Sequence, residues 1–305
     1  MVMPLPHGSV RMRRTELVSI PRRFRQIAVC GIAILLLLLR SKTNVWVRNT
    51  DSTSIQQVGE RQEKQDAPVT LKVVLLSDTH GRHRNLTDVP DGDILVFSGD
   101  MSYFGRWDQV VDFNNWLGEL PHRHKFVVAG NHDGTIHMRG KGSSKEVKRT
   151  SLADLPSLLT HAHYLQDSGF TVRVGGERDD DGRDVRIWGS PWQPQYRSFE
   201  THRPPGPDGM AGRWGLVPDD TTILIAHTPP AGVMDGDGRG CVDLASRIEQ
   251  LRARRPSSLR LVAFGHFHEY GTVAGGDGLT YINCAVTDGN RRLVHSPHMV
   301  SLEIG

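Results

Sequence analysis

Leu71-Lys72-Val73-Val74-Leu75-Leu76-Ser77-Asp78-Thr79-His80-Gly81 is a short apolar run that ends in a carboxylate, a hydroxyl and an imidazole. It reads as a buried strand from Leu71 to Leu76 that hands polar groups to the loop at its carboxyl end. The pattern recurs along the chain. Ile94 to Phe97 leads into Gly99-Asp100, and Phe126 to Ala129 leads into Gly130-Asn131-His132-Asp133. Ile223 to Ala226 ends at His227, and Leu261 to Phe264 ends at Gly265-His266-Phe267-His268. Open α/β sheets hold their ligands at such strand ends.

Between these runs the period changes. Asp108 to Leu120 places Val110, Phe113 and Leu117 on one helical face, and Cys241 to Arg255 does the same with Ala245, Ile248 and Leu251. Val185 to Trp188 and Tyr281 to Ala285 read as further strands. Arg178 to Asp184, Arg203 to Arg213 and Asp235 to Gly240 are rich in Gly, Pro or Asp and read as surface loops. No internal repeat is visible.

Charge is unevenly spread over the 305 residues, whose net is +3. Residues 1–48 hold nine Arg and Lys against the single acid Glu16, which leaves 28 basic and 33 acidic residues over 49–305, a net of about −5. That balance does not suit an extended nucleic-acid surface and fits a small phosphate-bearing substrate better. The three cysteines, Cys30, Cys241 and Cys284, make no disulfide framework; Cys241 and Cys284 are expected as buried thiols, although they could pair.

Residues 1–48 read as a leader, 49–68 as a polar tether and 69–305 as the catalytic domain. Six arginines precede residue 26, and residues 27–39 then run without a polar side chain to Arg40. Thirteen apolar residues are short of the roughly 20 that span a bilayer, and no small-residue cleavage site follows. A signal anchor is therefore the expectation, with the catalytic domain lumenal or extracellular because the basic end stays cytoplasmic. A secreted or a mitochondrial destination is the alternative.

The strand ends carry a consistent chemistry. Carboxylate, amide oxygen and imidazole suit Mg, Mn, Fe or Zn, and no cysteine lies among them to suggest a thiolate site. Asp78 and His80, at i and i+2 of an extended segment, would face the same side and share one ion. Asp100 has two oxygens with which to bridge two ions. Asn131 offers a neutral oxygen, and the adjacent His132 can face the substrate and donate a proton. His266 and His268 repeat the i, i+2 spacing with two imidazoles. Any one of these fragments alone means little; together they point to two divalent metals that act on a phosphate ester.

The ordered set Asp78-x-His80, Gly99-Asp100, Gly130-Asn131-His132, a lone His227 and Gly265-His266-x-His268 resembles the calcineurin-like metallophosphoesterase superfamily. Asn115 to Pro121, Leu165 to Ser168, Trp188 to Trp192 and His227 to Pro230 look like its metallophosphoesterase-domain-containing branch. The resemblance implies a two-sheet α/β sandwich flanked by helices. It implies one ion on Asp78, His80 and His268, a second on Asn131, His227 and His266, and Asp100 between them. It implies attack by a bridging hydroxide on a phosphodiester or phosphomonoester, with His132 as proton donor to the leaving oxygen.

One position departs from the family pattern: an acid often stands three residues after the bridging aspartate, where this chain has Tyr103. Tyr103 can accept a hydrogen bond but leaves His132 without that charge, which weakens proton donation unless Asp133 or Asp108 substitutes. Tyr103, and His83 just after the first motif, are expected to touch substrate. The competing reading is a non-catalytic metal-binding scaffold of the same fold. The presence of His132, His266 and His268 favours the enzyme.

Overall fold

A computed structural model describes residues 68–134, 148–175, 182–194, 201 and 208–305. The leader, residues 27–39 and nearly all of the tether lie outside the described residues. So do parts of the loops read at 178–184 and 203–213. Among the described residues no helix is long and apolar enough to cross a membrane.

Two mixed sheets lie face to face. The first has five strands in the order β11-β1-β2-β3-β4. β1 (Val69–Leu76), β2 (Ile94–Phe97), β3 (His124–Val127) and β4 (His163–Tyr164) run parallel, and β11 (His298–Ile304) closes the edge antiparallel to β1. The second has six, β5-β6-β7-β8-β10-β9. There β6 (Arg183–Ser190), β7 (Ile223–Ala226), β8 (Leu261–Phe264) and β10 (Leu279–Asn283) are parallel. β5 (Ser168–Val174) and β9 (Gly271–Gly276) are the antiparallel edges.

Strand alternation assigns each apolar side chain to a layer. Ile94 and Val96 face the core between the sheets together with Val73, Leu75, Ile187, Ile225, Ala263 and Ile282. Their neighbours Leu95 and Phe97 face the opposite way, onto Val110, Phe113 and Leu117 of helix α1 (Trp107–Glu119). A third cluster joins the outer face of the second sheet, Leu224, Val262 and Phe264, to Leu244, Ile248 and Leu251 of a second long helix, Val242–Arg254. The layers are thus helix, sheet, sheet, helix, as expected for a parallel sheet buried on both faces.

Helix α1 stops where Leu120 turns extended before Pro121, a residue whose ring disfavours helix in its predecessor. The Val242–Arg254 helix starts at Cys241, whose Sγ accepts the Leu244 N–H at 3.4 Å, and it carries Arg252 and Arg254 in its last turn. Between the two long helices come α2 (Leu155–Leu158) and α3 (Gly209–Gly215), which makes Val242–Arg254 α4. Helix α3 corrects the loop expected over Arg203 to Arg213: Trp214 is fully buried, and that anchor holds a helical turn in a stretch whose composition reads as loop. Likewise Arg183 and Asp184 belong to β6.

Cys241 and Cys284 are buried free thiols. Burial pushes both up, Cys284 to about 12. We expect both to resist alkylation in the native state and to react on unfolding, as read by mass mapping with iodoacetamide. Rapid native labelling of Cys284 would contradict the buried position.

Candidate metal centre

The two sheets touch at their carboxyl ends, and that junction carries the site. Ser77 N–H donates to Cys284 O at 2.9 Å and Val286 N–H to Ser77 O at 3.1 Å, which splices the end of β1 to the end of β10. Asp78 N–H donates to Gly99 O and Gly265 N–H to His227 O, so the loop after β1 is tied by main chain to that after β2, and the loop after β8 to that after β7.

The expected ligands converge there. His268 Nε2 lies 3.3 Å from Asp78 Oδ1 and 3.3 Å from His80 Nε2, and His80 Nε2 is 3.9 Å from Asp100 Oδ2. His227 Nε2 lies 3.4 Å from the same Asp100 Oδ2 and 3.2 Å from Asn131 Oδ1. The His266 ring stands edge-on to His227 with centroids 5.1 Å apart, and its main-chain N–H donates to both oxygens of Asp78.

Separations of 3.2–3.9 Å are long for hydrogen bonds. They suit atoms that share an ion at about 2.1 Å each, whose tetrahedral edge is about 3.4 Å. Three overlapping groups, Asp78-His80-His268, His80-Asp100-His132 and Asp78-Asp100-His227, each place their ligand atoms within 4.8 Å of one another. The donor set therefore fits a divalent cation.

Two of the imidazoles are oriented by the main chain. His227 Nδ1 donates to Ser98 O and His268 Nδ1 donates to Asp288 O, each at 2.7 Å, which turns both Nε2 atoms into the cluster. Asp288 was not legible as a site residue, because a carbonyl that any residue could supply leaves no mark in the sequence.

The expectation that an extended segment would align Asp78 with His80 needs correction. Asp78, His80, Asp100, His266 and His268 all have left-handed backbone, with φ of 59°, 46°, 58°, 73° and 54°. That region is disfavoured for non-glycine residues, so the chain reverses sharply at the ends of β1, β2 and β8 and aims successive candidate ligands inward. Gly130 and Gly265 make room for the carboxylates: a Cβ on either would stand 2.1 Å from an oxygen of Asp100 or Asp78. We expect Gly265→Ala to displace Asp78, weaken metal binding at least tenfold and cost about 1–3 kcal/mol of stability, read by metal titration and denaturant unfolding. Wild-type metal affinity in that variant would contradict the packing argument.

Burial dominates the electrostatics and partners redirect it. It would raise Asp78, but the hydrogen bond and charge of His268, with His227, bring it to about 2; Asp100 lies well below the usual carboxylate range for the same kind of reason. Burial pulls His227 and His268 down, yet the carboxylates beside them lift each to about 9. His80 falls to about 4 through burial, and His132 is lowered, first by burial and further by the charge of Arg291.

In the metal-free chain, then, His227 and His268 hold protons at neutral pH that a cation must displace. Their contribution to stability is complete below the ordinary value of 6.5 and is lost as pH rises through about 9. Metal affinity runs the other way. It should tighten across that window and release up to two protons, as calorimetry in buffers of different ionisation enthalpy would read. A flat affinity between those values would contradict the assignment of these two imidazoles.

His132 reaches the cluster from the Asn131 loop. Its main-chain N–H donates to Asp100 Oδ1 at 2.8 Å, and its ring stands edge-on to His80 at 4.8 Å. Tyr103 lies parallel to the His132 ring at 5.8 Å and is 38% exposed, so this substrate-side candidate does border the cluster.

The two carboxylates that could have substituted for the missing acid are engaged with other groups. Asp108 pairs with Arg106 on the surface. Asp133 accepts N–H bonds from Met101, Ser102 and Gly130 and the Ser102 hydroxyl, stapling the Asp100 loop to the Asn131 loop. Burial and the nearby Asp100 push Asp133 up to about 7.

His83, the other expected substrate contact, is not brought to the cluster's surface. It is fully buried, bonded through Nε2 to Asp112 of α1 at 3.0 Å and packed on Phe113 and Trp116. Its neighbour relations are with the helix, because a 3-10 turn over His83–Asn85 rotates it away from the ligand loop. His83→Ala is expected to cost about 1–3 kcal/mol of stability with little change in KM. A large rise in KM at unchanged stability would restore the substrate role.

A fold of two mixed sheets with ligands at their joined ends is that of the calcineurin-like phosphoesterases. The sequence model of that family matches residues 71–270, and the chain belongs to it. Metallophosphoesterase domain-containing protein 1 of Homo sapiens is 35% identical over 252 residues, 77% of this chain and 72% of that protein. A UPF0046 protein of Caenorhabditis elegans is 38% identical over 225 residues, 72% and 71% of the two chains. Among solved structures, the phosphopantetheinyl hydrolase of Mycobacterium tuberculosis shares the fold, with a TM-score of 0.50 at 12% identity over 75% of this chain and 95% of that one.

Proposed function

We propose that the protein is a dinuclear-metal phosphoric ester hydrolase that prefers phosphodiesters to phosphomonoesters. The observation that carries this reading is the sharing of ligands. Asp100 belongs to two of the three overlapping groups, and its Oδ2 is the common neighbour of His80 and His227.

Asp78, His80 and His268 would hold one ion and Asn131, His227 and His266 the other, with Asp100 touching both. Bound Mn, Fe, Zn or Mg supplies Lewis acidity and an activated water at phosphorus. His132 gives a proton from its ring to the leaving oxygen. The bond from its main-chain N–H to Asp100 holds it in place. Tyr103 and Phe104, packed edge to face at 4.4 Å, offer an aromatic rim on the leaving-group side, beside His132.

The test is hydrolysis of a bis-aryl phosphodiester and an aryl phosphomonoester by the full chain, chelated and then resupplied with Mn or Zn, with metal content measured alongside. Metal-restored turnover with the diester ahead is expected. Turnover led by the monoester would overturn the preference, and bound metal with no turnover would favour the non-catalytic scaffold.

For the leader we propose attachment to a membrane through residues 27–39, with the catalytic domain lumenal or extracellular; the basic residues before that stretch support it. Alkaline carbonate extraction and protease protection of the full chain test this. Release into the carbonate supernatant would point to a soluble lumenal or matrix protein.

A further inference from the structure

Next to the cluster lies a cation that the proposed chemistry has not used. The turn Asp288–Arg292 presents two adjacent arginines with different fates. Arg292 is consumed by its own loop: it donates through Nε to Asp288 Oδ2 at 2.8 Å and makes an ion pair with the same carboxylate. Arg291 has no carboxylate partner among the described residues. Its guanidinium lies over the ring of Tyr103, 5.0 Å from the centroid, and Tyr103 in turn lies parallel to His132.

Arg291 is also built into the site's frame. Its main-chain N–H donates to Asp288 O at 2.8 Å, the carbonyl that also accepts from Nδ1 of the ligand His268. One main-chain oxygen thereby sets both a metal ligand and the root of the arginine. Arg291 has φ of 59°, in the left-handed region that non-glycine residues seldom adopt. Stacking on an aromatic ring pre-orders a guanidinium while leaving its fork of donors open, which is how arginine takes planar anions.

We propose that Arg291 is a specificity-determining residue that binds a second anionic group, a carboxylate or a phosphate, on the alcohol side of the scissile ester. The inference rests on the phosphoesterase reading above. It follows from placement: His132 meets the leaving oxygen, so a cation that shares the Tyr103 platform with His132 faces the departing half of the substrate. The substrate class is thereby narrowed to phosphate esters whose leaving alcohol carries its own negative charge. Tyr103 acts through Arg291 as its platform, which gives the residue in place of the family's acid a role of its own.

The experiment compares two diesters, ethyl 4-carboxyphenyl phosphate and ethyl 4-carbamoylphenyl phosphate, which are alike in shape and differ by one charge on the leaving phenol. Wild-type protein loaded with Mn should favour the carboxylate in kcat/KM by about tenfold or more. Arg291→Gln should reduce the carboxylate's kcat/KM at least tenfold, mainly through KM, and the carboxamide's by a much smaller factor; Arg291→Lys should recover part of the preference. Tyr103→Leu should weaken the preference with metal content unchanged. Equal losses on both substrates would place Arg291 at the scissile phosphate instead, and no loss on either would overturn the proposal.

The hydrolysis-independent counterpart is calorimetry with 4-carboxybenzylphosphonate and 4-carbamoylbenzylphosphonate, whose P–C bond is not cleaved. If neither diester is turned over, the phosphoesterase reading fails. The anion site then stands only if wild-type protein still prefers the carboxylated phosphonate and Arg291→Gln abolishes that preference. Equal binding of the two phosphonates overturns the anion site.

Discussion

Asp100→Asn loses bound metal and turnover together. The substitution is nearly isosteric, and asparagine tolerates the left-handed backbone at this position (φ 58°) better than most residues, so the loop is expected to keep its shape. One oxygen can still accept the His132 main-chain N–H as Oδ1 of Asp100 does. The other end of the group then becomes an N–H donor aimed at the point where His80 and His227 bring their ring nitrogens, 3.9 and 3.4 Å from Oδ2 in the wild type. A cation is met by a donor dipole in place of a negative charge. Turnover should fall on the order of a thousandfold or more, with metal stoichiometry falling in parallel. In the chelated variant the imidazole of His227 should titrate lower than in wild type, because the Asp100 charge that lifts it is gone. Full metal content in Asp100→Asn would remove Asp100 from the shared position.

His132→Ala separates the two readouts. The main-chain N–H that binds Asp100 remains, and His132 is needed by neither of the two proposed ion sets, so metal content should persist. Turnover should fall roughly 100- to 10,000-fold, the span of a lost general acid. The loss should be largest for alkoxide leaving groups and smallest for nitrophenolate, which departs without a proton, so a plot of rate against leaving-group acidity should steepen. Full activity of His132→Ala on a poor leaving group would end its role as proton donor.

The strands that carry the ligands could be read from sequence because they are buried on both faces. All four residues of β2, β7 and β8 are buried, and a continuous apolar run ending in a polar residue is the direct imprint of that burial. The edge strands β5, β9 and β11 went unread for the converse reason. Most of their residues are half-buried or exposed, so their composition resembles loop, and they become strands only when a neighbour offers hydrogen bonds. The two long helices were legible within a residue at each end from their apolar spacing. His83 carried the residue type of a site and the neighbours of a core, and only its bond to Asp112 distinguishes the two.

The chemistry of the candidate site was present in the chain by itself: which side chains are candidate ligands, and that they follow buried strands. Residue type sets ligand chemistry, and local burial pattern sets where strands stop. The geometry belongs to the tertiary structure. Asp78 and His268 stand 3.3 Å apart because β1 is spliced to β10 through Ser77 and Cys284, and because left-handed turns reverse the chain at five candidate ligands. Arg291 joined the site only through a carbonyl of the Asp288 turn and the ring of Tyr103. Contacts between residues so far apart along the chain come from the docking of two sheets, and no local pattern encodes the register in which those sheets meet.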